Sequence, residues 1–345
     1  MSITRHATVT SLCSLALLLL TSTSAFAQYN KSAGMSVAPS MEKRRVQVSD
    51  DSGQVRYEEK EVQVKRDGYG NAADSSYDLA VDGAFEGQTI VVLQLYPFSF
   101  DQAREALARK GFSVYRFTST PSPEELAKAL KKANQFWLIS NCSSQTTLTE
   151  EHVKPIKEFF DSGHGVYLWG DNDPCYADVN YVSERLLDVK MTGDTPGDTK
   201  VGLKEKASDT SGILANHLMS TGIETIYEGV TIATIDKNDH LDPFLWGSAG
   251  NLVAALYDHD QKRAIFDGGF TRLYYKWDTA GTARYVVNAA AWLANYERFG
   301  DEVLAENLRE EAKEMEAQRN KNKEAKKKLK EDAKKKKPKL VKKDN

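Results

Sequence analysis

Cysteine is scarce in this chain: three residues in 345, Cys13, Cys142 and Cys175. So few exclude a small disulfide-dense scaffold and leave room for one bridge in an oxidising compartment. Long apolar runs are scarcer. The run from Leu12 to Leu20 is too short to cross a bilayer, and no later segment is apolar for long enough, so no transmembrane helix is expected. Several enzyme signatures are also missing. No Gly-x-Ser-x-Gly marks a serine hydrolase, and no Gly-x-Gly-x-x-Gly follows the first strand of the central region to hold a dinucleotide. That strand leads into Tyr96-Pro-Phe-Ser, not the Asp-x-Ser-x-Ser of a cation-binding domain.

What is present at the N-terminus is an address. The apolar run follows Arg5 and ends before Ala25-Phe26-Ala27, the small-x-small pattern of signal peptidase, so residues 1–27 read as a cleaved signal peptide and Gln28 as the first mature residue. A lipid anchor would need a cysteine straight after the run, whereas Cys13 lies at its start. The expected location is therefore exported, periplasmic or extracellular. Charge is divided along the chain. From Arg319 onward fourteen Lys or Arg stand against four acids, +10, so the total of −3 leaves −13 on residues 1–318. An acidic body carries a basic tail over residues 300–345, with Leu304, Leu308, Ala312 and Met315 at helical spacing before the lysine blocks begin. Such a tail can bind polyanions by counterion release, although a solvated extension is the plainer reading.

Residues 28–86 read as a flexible leader containing an exposed hairpin around Arg45–Tyr57. From Gln88 short apolar runs alternate with helical patterns, as in a parallel sheet covered on both faces. The expected strands are Thr89–Leu95, Phe112–Phe117, Gln135–Ser140 and Val166–Trp169. Ser122-Pro-Glu-Glu and Thr149 open two of the helices between them, and the last helix starts near Pro174. Residues 188–211 are polar and Gly-rich, an insertion or flap; strands resume near Val230, Leu252 and Arg263, and Ala280–Tyr296 is a closing helix.

Gly163-His-Gly-Val-Tyr-Leu-Trp-Gly-Asp, Asn216-His-Leu-Met-Ser-Thr-Gly-Ile, Phe266-Asp-Gly-Gly-Phe-Thr-Arg-Leu and Asn288-Ala-Ala-Ala-Trp-Leu-Ala together resemble the class I glutamine amidotransferase-like superfamily, over Gln88 to Tyr296. The resemblance implies a three-layer flavodoxin-like α/β domain, residues 87–299, with a mainly parallel central sheet. It also implies a nucleophilic Cys at a sharp strand-to-helix elbow and a His, usually followed by an acid, on a later loop. Here the elbow reads Gly170-Asp171-Asn172-Asp173-Pro174, with no Cys, Ser or His at the turn. Cys175 comes late and has no nameable base, and His259-Asp260 belongs to a polar turn. No catalytic residue is therefore assigned, nor any metal or cofactor.

Ligands of open α/β sheets collect at the carboxyl ends of the strands. The candidate binding residues there are Tyr96 after the first strand, Asn141, Cys142, Ser143 and Gln145 after the third, and Asp171, Asn172 and Asp173 after the fourth. Strands three and four are neighbours in a flavodoxin-like order, so Cys142 and Cys175 come within range of a disulfide if their Cα atoms approach to about 7 Å. The acidic cluster has three readings: a cap for the following helix, a polar ligand site, or a cation site, the last short of the six to eight oxygens calcium takes. The expected function is an exported, non-catalytic domain binding an unidentified ligand or envelope partner at this edge. The alternatives are a divergent hydrolase of amide or carbohydrate substrates using Asp171 or Asp173, and an envelope scaffold acting through its basic tail.

Overall fold

The structure is a computed structural model describing residues 28–49, 54–206, 208–277 and 280–335. The signal-peptide reading of residues 1–27 and the end of the tail, 336–345, lie outside the described residues.

The centre of the molecule is a sheet laid down by alternating strands and helices. β1 (Met41–Ser49) and β2 (Val55–Gln63) form a separate antiparallel hairpin, mostly exposed. Then come β3 (Thr89–Gln94), α1 (Asp101–Arg109), β4 (Ser113–Phe117), α2 (Pro123–Leu130), β5 (Gln135–Ile139), α3 (Glu150–Asp161), β6 (Gly165–Trp169) and α4 (Ala177–Leu187). The expected capping box of α2 is present, with Ser122 and Glu125 bonding reciprocally. β7 (Met191–Pro196), β8 (Lys200–Lys204), β9 (Gly212–Leu214), β10 (Thr225–Tyr227), β11 (Thr231–Ile235), β12 (Asp242–Trp246), β13 (Leu252–His259) and β14 (Lys262–Asp267) follow. The chain closes with α5 (Thr282–Leu293), a short α6 (Tyr296–Phe299) and the long α7 (Glu306–Lys335).

Ten strands make one mixed sheet in the order β10-β8-β9-β12-β13-β14-β6-β5-β3-β4. From β14 to β4 every neighbouring pair is parallel, and the sequence order reverses between β3 and β5. This is the flavodoxin-like plan, with the switch point at those two strands. Helices cover both faces. Side chains alternate across the sheet, so Ile90, Val92, Trp137, Ile139, Tyr167 and Trp169 pack towards α1 and α5, while Val91, Leu93, Phe136, Leu138, Val166 and Leu168 pack towards α2, α3 and α4. Burial on both sides is why these strands are continuous apolar runs.

Three segments depart from the sequence reading. The 188–211 flap is instead built into sheets: β8 joins the main sheet and β7 pairs with β11. Its ladder partners lie far along the chain, so local polarity hid them. Residues 28–40 are packed and not loose: Tyr29 and Ala38 are buried, and Tyr29 bridges Ala80. Val303, Leu304 and Ala305 are also buried, so residues after 300 begin inside the core. Only beyond them does α7 leave the body, and Met315 is 52% exposed. No described helix is long and apolar enough to cross a membrane.

The start of the outer edge strand β10 is capped by one side chain. Buried Asn71 accepts from the N–H groups of Glu224 and Thr225 through Oδ1, at 2.6 and 2.9 Å, and its Nδ2 donates to the Thr225 carbonyl at 3.3 Å. The segment carrying Asn71 thus covers a strand edge that would otherwise be open.

Candidate functional site

The loops following β3, β5, β6 and β14 share the carboxyl edge of the sheet, and each is shaped by a buried polar side chain. After β3, Gln94 donates from Nε2 to the carbonyls of Tyr96 and Phe98, both at 2.9 Å, and accepts from Arg116 at 3.0 Å. After β5, the loop from Ser140 to Thr147 wraps around Asp178 in the first turn of α4. One Asp178 oxygen accepts from the Asn141 N–H at 2.8 Å, and the other accepts from the Thr146 hydroxyl at 2.7 Å and the Thr147 N–H at 3.2 Å. Asp178 is fully buried. It is an organiser that the sequence reading missed, since nothing in its neighbourhood marks it apart from any helix-surface acid.

The elbow after β6 is tied to the loop after β14. Gly170 donates to the Asp267 carbonyl at 2.8 Å and accepts from the Phe270 N–H at 2.9 Å. Asp171 is 1% exposed. Its Oδ2 accepts from the N–H of Thr271 at 2.7 Å and from the Thr271 hydroxyl, and its Oδ1 accepts from the Asn172 N–H at 2.9 Å. The cluster therefore does not cap α4: that helix starts at Ala177, three residues after the expected position, and its N-cap residue Tyr176 makes no side-chain cap bond. Asp171 instead pins one loop to another. Asn172 Nδ2 donates to the Asp173 carbonyl at 3.0 Å, and Asp173 accepts from the Tyr176 hydroxyl at 3.0 Å.

Cys142 and Cys175 are joined in a disulfide. It brings the 141–145 and 171–175 segments together, and it leaves no free thiol at the elbow. Asn141 Oδ1 accepts from the Cys142 N–H at 2.8 Å, Ser143 Oγ accepts from the Gln145 N–H at 3.3 Å, and Gln145 is exposed. These polar candidates thus stabilise their own turns. Tyr96 belongs to an aromatic group, 5.3 Å from Phe270 and 6.3 Å from Tyr274 between ring centres, with Phe98 stacked on Tyr274 at 4.5 Å. The sequence does not show this grouping, because Phe98 and the Phe270–Tyr274 pair come from two segments about 170 residues apart that only the fold unites.

Beneath this surface lies an ion pair. Arg272 and Asp267 are both 0% exposed and meet at 2.9 Å. Asp267 also accepts from the Gly269 N–H at 3.0 Å, the Tyr285 hydroxyl at 2.7 Å and the Tyr167 hydroxyl at 3.3 Å. Gly269 is required there, since a Cβ would stand 2.6 Å from Arg272 Nη2 and 2.9 Å from the Glu228 carbonyl. Burial raises the Asp267 carboxyl above its usual value, against the pull of Arg272 and these donors.

Burial likewise pushes the Asp171 carboxyl up to about 7, with the Thr271 and Asn172 donors opposing. Its folded value thus stands above the unfolded 3.8, so the folded chain binds this proton more tightly. The contribution is full below about pH 4 and is lost as pH rises through about 7. Going from pH 8 to pH 5.5, wild type should gain about 2 kcal/mol relative to Asp171→Asn, at 1.36 kcal/mol per unit. Urea denaturation of both proteins at the two pH values measures it, and parallel profiles would refute it. Burial lowers the His217 pKa to about 4, which affects both proteins equally and cancels in the difference. Burial pushes the Tyr274 phenol up to about 12, with Tyr96 and Asp171 adding to the shift.

Three of the described histidines serve structure. His152 bonds the Thr149 N–H through Nδ1 and the Pro121 carbonyl through Nε2. His217 accepts from the Met219 N–H, and His164 stacks on Phe159. His259 stands at the β13–β14 turn, where Asp260 and Gln261 have positive φ. Among the described residues no group of three His, Cys, Asp or Glu is placed to hold a metal ion.

No protein-family model matches the chain, and no curated protein matches it. Among solved structures, the mmIFT52 N-terminal domain is similar over 59% of this chain and 97% of that one, with 13% identity and a TM-score of 0.44. A GMP synthase subunit from Thermoplasma acidophilum covers 60% of this chain and 96% of its own at 9% identity and TM-score 0.37. A glutamine amidotransferase from Methylobacillus flagellatus covers 64% and 96% at 10% identity and TM-score 0.35. The structural neighbours thus include glutamine amidotransferase-like proteins, at identities that say nothing about chemistry.

Proposed function

We propose that this is an exported, non-catalytic amidotransferase-like domain that binds a ligand or partner at the carboxyl edge of its sheet. The elbow carries the reading. Where a nucleophile would stand, Asp171 is buried with its oxygens occupied by Thr271 and Asn172, and the nearby Cys175 sulfur is bonded to Cys142. A general acid or base at Asp171 would need a second carboxylate or a His within reach. Among the described residues its hydrogen bonds run only to backbone N–H groups and the Thr271 hydroxyl, which weighs against the hydrolase alternative. The binding half of the proposal rests on the aromatic surface of Tyr96, Phe98 and Tyr274, with Tyr274 36% exposed. Aromatic side chains supply large contact area at low entropic cost.

Purified protein should release ammonia from glutamine, and nitrophenol from a nitrophenyl ester, no faster than buffer, with or without reductant. Turnover abolished by Cys175→Ala or by Asp171→Asn would overturn the non-catalytic reading.

A further inference from the structure

We propose that Gln28 is a modification site: once the chain is cut after Ala27, its new first residue closes into a pyroglutamyl lactam. The proposal rests on reading residues 1–27 as a cleaved leader. Gln28 is 0% exposed, and both polar atoms of its side chain, Nε2 and Oε1, have no hydrogen-bond partner among the described residues. The residue is held firmly in place. Its carbonyl accepts from the Val81 N–H at 3.0 Å, Tyr29 bridges Ala80, and Asn30 Nδ2 donates to the carbonyls of Asp78 and Ala80 at 2.9 and 3.0 Å.

Cleavage at this point creates an α-amine on a buried residue. The unpaired primary amide buried beside that amine is already unfavourable. Burial favours the neutral amine, which is the nucleophile. Its nitrogen attacks Cδ of the same side chain, a five-membered ring forms through the new N–Cδ amide, the Cδ–Nε2 bond breaks, and Nε2 departs as ammonia with the proton from the amine. No oxidant, reductant or co-substrate enters. The product carries no charge, and the two orphaned N–H donors of Nε2 are gone. A residue that suits the site poorly as a free N-terminal glutamine suits it as a neutral ring.

The test uses the full-length gene expressed with its own leader, the protein being recovered from the exported fraction and its N-terminal peptide analysed by mass spectrometry. The expected peptide begins at Gln28, is lighter by one ammonia, and resists stepwise N-terminal degradation until treated with pyroglutamyl aminopeptidase. An unblocked Gln28 would overturn the modification while leaving the processing site standing, and a chain beginning elsewhere would overturn both. Gln28→Met keeps the side-chain length but cannot cyclise, so it should carry a free amine and melt below wild type. An unchanged melting midpoint would remove the argument that the buried position calls for a neutral end.

Discussion

Replacing Arg272 by methionine should lower the unfolding free energy by about 3–5 kcal/mol, the usual cost of leaving a buried charge without its partner. Asp267 would keep its two phenolic donors and one backbone N–H but lose the cation bonded to it. Arg272 does more than neutralise. Its Nε donates to the Gly269 carbonyl at 3.1 Å and its Nη2 to the Glu228 carbonyl at 3.0 Å, so it also joins the loop after β14 to the start of the β10–β11 connection. Adding Asp267→Asn to the Arg272→Met chain should recover part of the loss, because no uncompensated charge then remains. Urea denaturation of wild type, the single variant and the double variant provides the comparison. A single variant within about 1 kcal/mol of wild type would mean that the pair is not desolvated as described.

Removing the disulfide is the second large perturbation. The bridge closes a loop of sequence separation 33, for which the chain-entropy account gives about 3.7 kcal/mol of stabilisation. At about 2.1 cal/mol/K of unfolding entropy per residue, a chain of this length shifts by roughly 5–6 °C in melting temperature for that loss. Cys142→Ala with Cys175→Ala should melt lower by that amount, and wild type in strong reductant should approach the double variant. The variant also tests how the binding edge is built. The Asn141–Thr147 loop keeps its bonds to Asp178 when the bridge is gone, so it should loosen only partly. Equal melting of oxidised wild type and double variant would refute the expectation.

The parallel half of the fold was legible because it is written locally. β3, β5 and β6 are short apolar runs that no amphipathic alternation could produce, and Ser122 and Glu125 announce α2 by themselves. The antiparallel half was not. β8 pairs with β10 more than twenty residues on, and its Lys-Val-Gly-Leu-Lys reads as a polar loop until those partners are known. The position of the candidate residues was legible, whereas the internal bonding of Asp171 was not. Strand order placed Asn141, Asp171 and both cysteines on one edge, but local sequence cannot show that Asp171 is bonded by a residue one hundred positions later. It equally hides Asp178, whose partners lie 31 to 38 positions earlier.

Asn71 has a consequence best put in terms of polymer growth. A sheet edge is a reactive end, able to add strand after strand from other chains. At β10 the amide side chain of Asn71 supplies the acceptor and donor that an incoming strand would bring, without supplying a backbone to continue the ladder. It acts as a chain terminator. The opposite edge, β4, pairs only with β3, so within the main sheet the two edges differ in what they offer an incoming strand.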